Sequence, residues 1–198
     1  MRILVIGATG TIGGPVVQAL SEGNEIVAVS HKSTPLTVDL SDGDSLRAMY
    51  RKVGKVDAVV CAAGSAKFAP LAQLSDDDFR FSLHDKLMGQ VNLVRIGFDH
   101  VRDKGSLTVT SGVLARAPMS GSAAISLVNA GLEGFVRGAA LEAPRRIRVN
   151  VVSPPWVSET LVALKMDPSQ GLPAATVARA YVRSVNGTET GAVIEPPS

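Results

Sequence analysis

Met1-Arg2-Ile3-Leu4-Val5-Ile6-Gly7-Ala8-Thr9-Gly10-Thr11-Ile12-Gly13-Gly14 opens the chain, and its reading decides the fold. Ile3 to Ile6 is a short unbroken aliphatic run, the pattern of a strand buried on both faces. A glycine-threonine loop follows, and Pro15 to Leu20 reads as a helix with Pro15 tolerated in its first turn. Strand, glycine loop and helix in this order make a site for a diphosphate. Glycines let the backbone approach closely, and the helix N-terminus supplies unpaired N–H groups and partial positive charge. The spacing from Gly7 through Gly10 to Gly13 is G-x-x-G-x-x-G, with Ile12 inside the loop and Thr9 and Thr11 able to add hydroxyl contacts.

The rest of the chain repeats the alternation. Strands are expected at Glu25–Val29, Leu36–Val38, Asp57–Cys61, Ser106–Thr110, Arg148–Val152 and Ala192–Ile194. Helices are expected at Asp44–Val53, from the Ser75 cap to about Arg102, at Ser122–Glu142 and at Pro173–Val185. The expected fold is therefore α/β, one domain over residues 1–198, with a doubly wound parallel sheet and helices on both faces. The tail Glu195–Ser198 reads as frayed. Composition agrees: 45% of the 198 residues are hydrophobic but only 4% aromatic, so the core must be Val, Ala, Leu and Ile.

Other classes are disfavoured. A formal net charge of +2 with no long Lys/Arg cluster argues against a nucleic-acid binder. The N-terminal apolar run is too short for a signal-peptide core or a membrane span. One cysteine, Cys61, cannot form a disulfide within the chain, which suits a reducing, cytoplasmic setting. No metal set is expected.

At the end of the second strand an acid would favour the ribose hydroxyl of NAD, and a cation the 2′-phosphate of NADP. Here the residues are Ser30, His31, Lys32 and Ser33, with no acid, so NADP is expected over NAD.

These residues, in this order, resemble the short-chain dehydrogenase/reductase family along nearly the whole chain. Gly7 to Gly13 looks like its glycine motif, and Asp39-Leu40 like the pair that borders the adenine. Cys61-Ala62-Ala63-Gly64 is similar to its Asn-Asn-Ala-Gly motif. Arg148 to Val157 is close to its Pro-Gly segment beside the nicotinamide, here including Pro154, Trp156 and Val157, with Thr160 following. The resemblance implies cofactor contacts at Ala62, Ala63, Gly64, Pro154, Trp156 and Val157, and a homodimer or homotetramer built on the small-residue helix Ser122–Glu142.

The catalytic half departs from the pattern. The family uses a tyrosine acid with a lysine four residues later, and those positions fall on Ile125 and Asn129. The serine position falls on Gly112, beside Ser111, and the asparagine position on Lys86. Neither Ile125 nor Asn129 can do the family's proton chemistry. Ser111 and Lys86 are the expected polar replacements. His84, Arg116 and Cys61 read as surface, exposed and buried residues. The expected function is an NADP(H)-dependent oxidoreductase of a small carbonyl or alcohol with a non-standard proton donor. The alternative is an NADP(H)-binding sensor without turnover, and an isomerase or epimerase would also keep the nucleotide.

Overall fold

A computed structural model describes residues 1–197; Ser198, the last residue of the tail read as frayed, lies outside them. Seven strands form one parallel sheet: β1 (Arg2–Ile6), β2 (Glu25–Ser30), β3 (Leu36–Thr37), β4 (Val56–Cys61), β5 (Val101–Thr110), β6 (Arg148–Val152) and β7 (Val193–Ile194). Their order is β3-β2-β1-β4-β5-β6-β7, so the chain reverses direction across the sheet between β1 and β4. Open α/β sheets bind ligands at such a switch point, beyond the carboxyl ends of the strands.

The helices are α1 (Gly13–Leu20), α2 (Gly43–Val53), α3 (Asp76–Ser82), α4 (Gly89–Gly97), α5 (Ala123–Glu142), α6 (Ser158–Ala163) and α7 (Ala174–Asn186). The central strands β1, β4 and β6 and the second half of β5 bury both faces, and two apolar layers result. One joins Leu4, Ile6, Val59, Leu107 and Val149 to Tyr50 of α2, Leu93 of α4 and Leu132 of α5. The other joins Ile3, Val5, Ala58 and Val60 to Val16 of α1 and to Val177 and Tyr181 of α7. Sheet alternation thus sorts neighbouring residues of one strand into opposite layers.

The structure corrects three boundaries. The helix expected from Ser75 to about Arg102 ends at Gly97, and its middle turn, Leu83–Met88, is π-helical. At Gly97 a Cβ would lie 2.6 Å from the Tyr50 hydroxyl oxygen, so this turn is pressed onto α2 before the chain leaves the helix. Second, β5 starts at Val101, five residues before the expected Ser106. Val56 pairs with Val101 and Ala58 with Ser106, so residues 102–105 bulge out of register. Those polar residues carry no strand signal, because a bulge takes its shape from the neighbouring strand. Third, the tail is anchored where it leaves β7: Glu195 pairs with Arg116.

Candidate functional site

At the carboxyl end of β1 the backbone makes a cradle. Gly7 adopts φ +80°, a left-handed conformation that side chains resist, and a Cβ there would lie 2.7 Å from the Ala62 carbonyl oxygen. The N–H groups of Gly7 and Ala8 both donate to the Val29 carbonyl, at 2.9 and 3.1 Å, tying the loop to β2. Gly13 is still more constrained, since its Cβ would fall 1.8 Å from the Gly7 carbonyl oxygen. Thr9, Gly10 and Thr11 are exposed on the outer arc. Ile12 caps α1 without a side-chain hydrogen bond, and no acid occupies the first turn. The Gly14 and Val16 N–H groups already donate to the Gly10 and Ile12 carbonyls and Pro15 has none, so the Ile12 and Gly13 N–H groups and the helix dipole are what face an anion there.

Beside the cradle lies a pocket of about 190 Å³. Gly7, His31, Asp39, Leu40, Ala63 and Gly64 line it, six residues that the sequence nominated from four separate segments. Ile6, Val38, Ser65 and Asp85 complete it; sequence reasoning did not nominate these four, because nothing local marks them as neighbours. Asp39 accepts hydrogen bonds from the Ser41 N–H at 2.9 Å and the Ser41 hydroxyl at 2.7 Å. The Ser41 hydroxyl bond is the main cause that holds its carboxyl below the ordinary value. Asp85 accepts from the Ser65 N–H and so fixes the loop after β4. His31, Lys32 and Ser33 are exposed, and of the three only His31 lines the pocket. Ser30 is buried and turned inward: its hydroxyl accepts from the Ser33 N–H at 2.8 Å and meets the Thr34 hydroxyl at 3.1 Å. It shapes the turn after β2 from beneath.

On the other side of the cleft the nominated polar residues have partners. Ser111 is buried at the end of β5 and its hydroxyl donates to Glu133 Oε1 at 3.2 Å. Glu133 is itself 4% exposed, and Arg116 Nε lies 3.8 Å from it. Arg116, half-exposed, also reaches Ser153 Oγ at 3.1 Å and pairs with Glu195. Lys86 sits in the π-helical turn, half-buried, with its Cα and Cγ packed against Gly64. Burial lowers the pKa of its ammonium group. Its carbonyl accepts from Gln90, whose amide also brackets the Thr110 backbone at 2.7 and 3.0 Å. Glu133 and Gln90 were not anticipated from the sequence. The only available signal for Glu133 was an acid on the same face of α5 as Ile125 and Asn129, four and eight residues on.

Asn129 is buried, and its amide nitrogen would lie 3.0 Å from a Cβ built on Gly112. Its Oδ1 has no hydrogen-bond partner among the described residues. A buried acceptor left unmatched awaits a donor. The glycine cradle and this orphan acceptor both fit a dinucleotide laid across the carboxyl ends of the strands.

Ile125 opens instead onto an apolar cavity of about 560 Å³. Phe68, Met119, Trp156, Leu164 and Met166 form its walls, with the hydroxyl residues Ser120 and Thr160. Phe68 and Trp156 meet edge to face, ring centroids 6.2 Å apart and planes at 75°. Pro154 and Val157 are buried behind this wall, Pro154 accepting from the Val113 N–H at 2.8 Å and Val157 leading into α6. Neither Ser111 nor Lys86 lines the cavity.

The tyrosines and the cysteine are structural. Tyr50 is fully buried and donates to the Leu93 carbonyl at 2.9 Å. Tyr181 lies 2.6 Å from the Thr110 hydroxyl, and burial raises its pKa. Burial pushes the Cys61 thiol up to about 12, far from a reactive thiolate. His84 is exposed.

Comparison with known proteins places the chain. The family described as enoyl-(acyl carrier protein) reductase matches residues 16–194. The crystal structure of the protein lin1944 from Listeria innocua superposes with a TM-score of 0.95, at 41% identity over 98% of both chains. A small-chain dehydrogenase solved in complex with NADPH superposes at 0.87 and 24% identity over 98% of this chain and 95% of that one, a likeness of fold. The hydroxynaphthalene reductase of Aspergillus fumigatus is 26% identical over 141 residues. That match covers 69% of this chain but only 52% of the reductase, so the chain spans about half of that relative's length.

Proposed function

The chain belongs to the short-chain dehydrogenase/reductase family, whose members bind NAD(P), and from that premise we propose that it is an NADP(H)-dependent oxidoreductase of a small carbonyl or alcohol. One observation carries the reading: four distant segments converge on the pocket beside the Gly7–Gly13 cradle, at the switch point of the sheet. When bound, the dinucleotide supplies the hydride chemistry; the protein supplies position and electrostatics. The α1 N-terminus and the glycine loop hold the diphosphate, and Leu40 and Ala63 border the adenine. His31, Lys32 and Ser33 face the 2′-phosphate, with no acid among them to repel it. Asn129 Oδ1 accepts a hydroxyl or amide hydrogen on the nicotinamide side. Ser111 and Lys86 border the site in this reading. Ser111 holds Glu133, and Lys86 supports the Gly64 edge of the pocket.

The fold relative solved with NADPH makes that dinucleotide the first to try. Fluorescence titration should show NADPH binding at least about tenfold more tightly than NADH. Lys32→Ala should weaken NADPH about 5- to 10-fold, leave NADH unchanged, and lose its effect in high salt. Equal binding of both dinucleotides by the parent protein would refute the NADP assignment.

A second reading has its own observation. Ile125 and Asn129 stand where the family's acid and lysine are expected, so a protein that binds the dinucleotide and senses it without turnover is also consistent. It predicts tight NADPH binding with no oxidation by any acceptor.

For assembly, we infer a homodimer or homotetramer through the outer face of α5. Gly134 and Gly138 are exposed there with open space above each, and Leu141 is 89% exposed. Light scattering at the eluting peak of a sizing column tests this. Among the described residues no helix is long and apolar enough to cross a membrane.

A further inference from the structure

The apolar cavity at Ile125 has a chemistry of its own, and it narrows the substrate. We infer that the acceptor is an uncharged two-ring aromatic of the quinone class, seated against Phe68 and Trp156 and reduced without an acid on the cavity wall. The inference rests on the reading of the chain as a dinucleotide-dependent oxidoreductase.

The first argument is what the wall can bind. About 560 Å³ is ample for a small molecule, and the lining is aromatic and aliphatic apart from two hydroxyls. Among the described residues, none that lines it is an acid, a base, a cysteine or a tyrosine. A carboxylate or phosphate entering it would lose its hydration and gain no counter-charge. A flat neutral ring system loses little and gains contact with the edge-to-face pair of Phe68 and Trp156.

The second argument is what the wall cannot do. Hydride addition to a simple ketone makes an alkoxide about as basic as hydroxide, whose conjugate acid, water, has a pKa of about 15.7. Such a product needs a proton donor beside it in the transition state. Ile125 offers none. The nominated donors do not line the cavity: Ser111 donates to Glu133, and the Lys86 stem packs against Gly64. A quinone is different. Its two-electron reduction makes a phenolate-type anion, and phenols such as tyrosine have a pKa of about 10. That anion survives until water protonates it. The balance is complete: one C–H bond of the dihydronicotinamide breaks and its hydride passes to the quinone. An O–H bond of the hydroquinone monoanion forms, the dinucleotide is oxidised, and solvent supplies the second proton.

Trp156 is the only tryptophan in the chain, so with the dinucleotide held saturating its fluorescence reports changes at the cavity wall. The protein saturated with NADP⁺, so that no hydride can pass, is titrated with 1,4-naphthoquinone, with 1-tetralone (a ketone on the same two-ring frame) and with 1-naphthoate. NADPH binding is measured separately, and NADPH oxidation is then followed with each compound. Both neutral compounds should quench Trp156 saturably, and naphthoate should bind at least about tenfold more weakly. The quinone should be reduced at least about 100-fold faster than the ketone. Leu164→Arg, at the exposed rim, should weaken both neutral ligands about tenfold and leave NADPH affinity unchanged. With NADPH binding intact, equal rates for ketone and quinone, equal binding of naphthoate, or no Trp156 response would each overturn the inference alone. Failure of NADPH to bind would instead bring down the parent reading, and this one with it.

Discussion

The two sides of the cleft are built differently. The proposed dinucleotide side is made of backbone: a glycine loop, a helix N-terminus and turns held by Ser30, Ser41 and Asp85. The reaction side is made of side chains from four loops and two helices, and its polar members are tied to one another. A backbone site depends on a few residues that tolerate nothing else, so its sequence signature is sharp. A side-chain site can exchange its chemistry while the scaffold stays, which is why fold alone does not fix function.

The hardest blow to the comparison falls on the backbone side. Gly13→Val puts atoms where the Gly7 carbonyl already lies, since even a Cβ would sit 1.8 Å from it. NADPH affinity should fall at least about 100-fold, with a stability loss of about 1–3 kcal/mol from overpacking. Titration and a thermal melt check both. A variant that still binds NADPH would mean that the cradle is only a turn.

The next test runs the other way, by adding chemistry to the reaction side. Ile125→Tyr with Asn129→Lys supplies the acid and the lysine that the resemblance calls for. Reduction of 1-tetralone should rise by roughly 10²-fold, the low end of what a positioned general acid contributes. NADPH oxidation measures it. No gain would show that α5 does not present these two positions to the substrate.

The same contrast explains what the sequence disclosed. The aliphatic runs of β1, β4 and β6 announced a parallel sheet, because a strand covered on both faces has no polar alternation to hide behind. Gly7, Asp39 and Gly64 were legible because each sits at a strand end in a local motif. The bulge at residues 102–105 was not, since its geometry belongs to the Val56–Ala58 neighbour. Nor was Glu133, an acid in the middle of a small-residue helix that becomes meaningful only when Ser111 and Arg116 arrive from another part of the chain. The cavity residues Phe68, Met119 and Met166 carry no motif at all; only the fold brings them together.

Glu133 offers a smaller and more discriminating effect. Glu133→Ala leaves the buried Ser111 hydroxyl without an acceptor and removes one partner of Arg116, which keeps Glu195. About 1–3 kcal/mol should be lost, seen as a fall in Tm of about 2–4 °C per kcal/mol for a chain of this size. Glu133→Gln retains an acceptor oxygen and should lose less. NADPH affinity should not move in either variant. If Glu133→Gln kept its Tm yet abolished turnover, the Ser111–Glu133 pair would belong to the chemistry, and the division between the two sides would fail there.

The smallest effect is a pH dependence on the backbone side. Asp39 has its carboxyl lowered chiefly by the hydroxyl of Ser41, helped by the Ser41 N–H and the charges of His31 and His84. A carboxylate whose folded pKa lies below its unfolded one binds fewer protons folded than unfolded. Its contribution is therefore present above the unfolded pKa and is lost as pH falls through the folded one. Ser41→Ala removes the hydroxyl and keeps the backbone N–H, so only part of the lowering should disappear. The difference in Tm between the parent and Ser41→Ala should be steady at neutral pH and shrink once pH falls below the ordinary carboxylate range. Melts across that acid range measure it. A difference that persists undiminished at the acid end would mean that Ser41 acts by packing alone. The polar turn beside the Asp39 pocket would then owe its shape to contacts that the charge of Asp39 does not control.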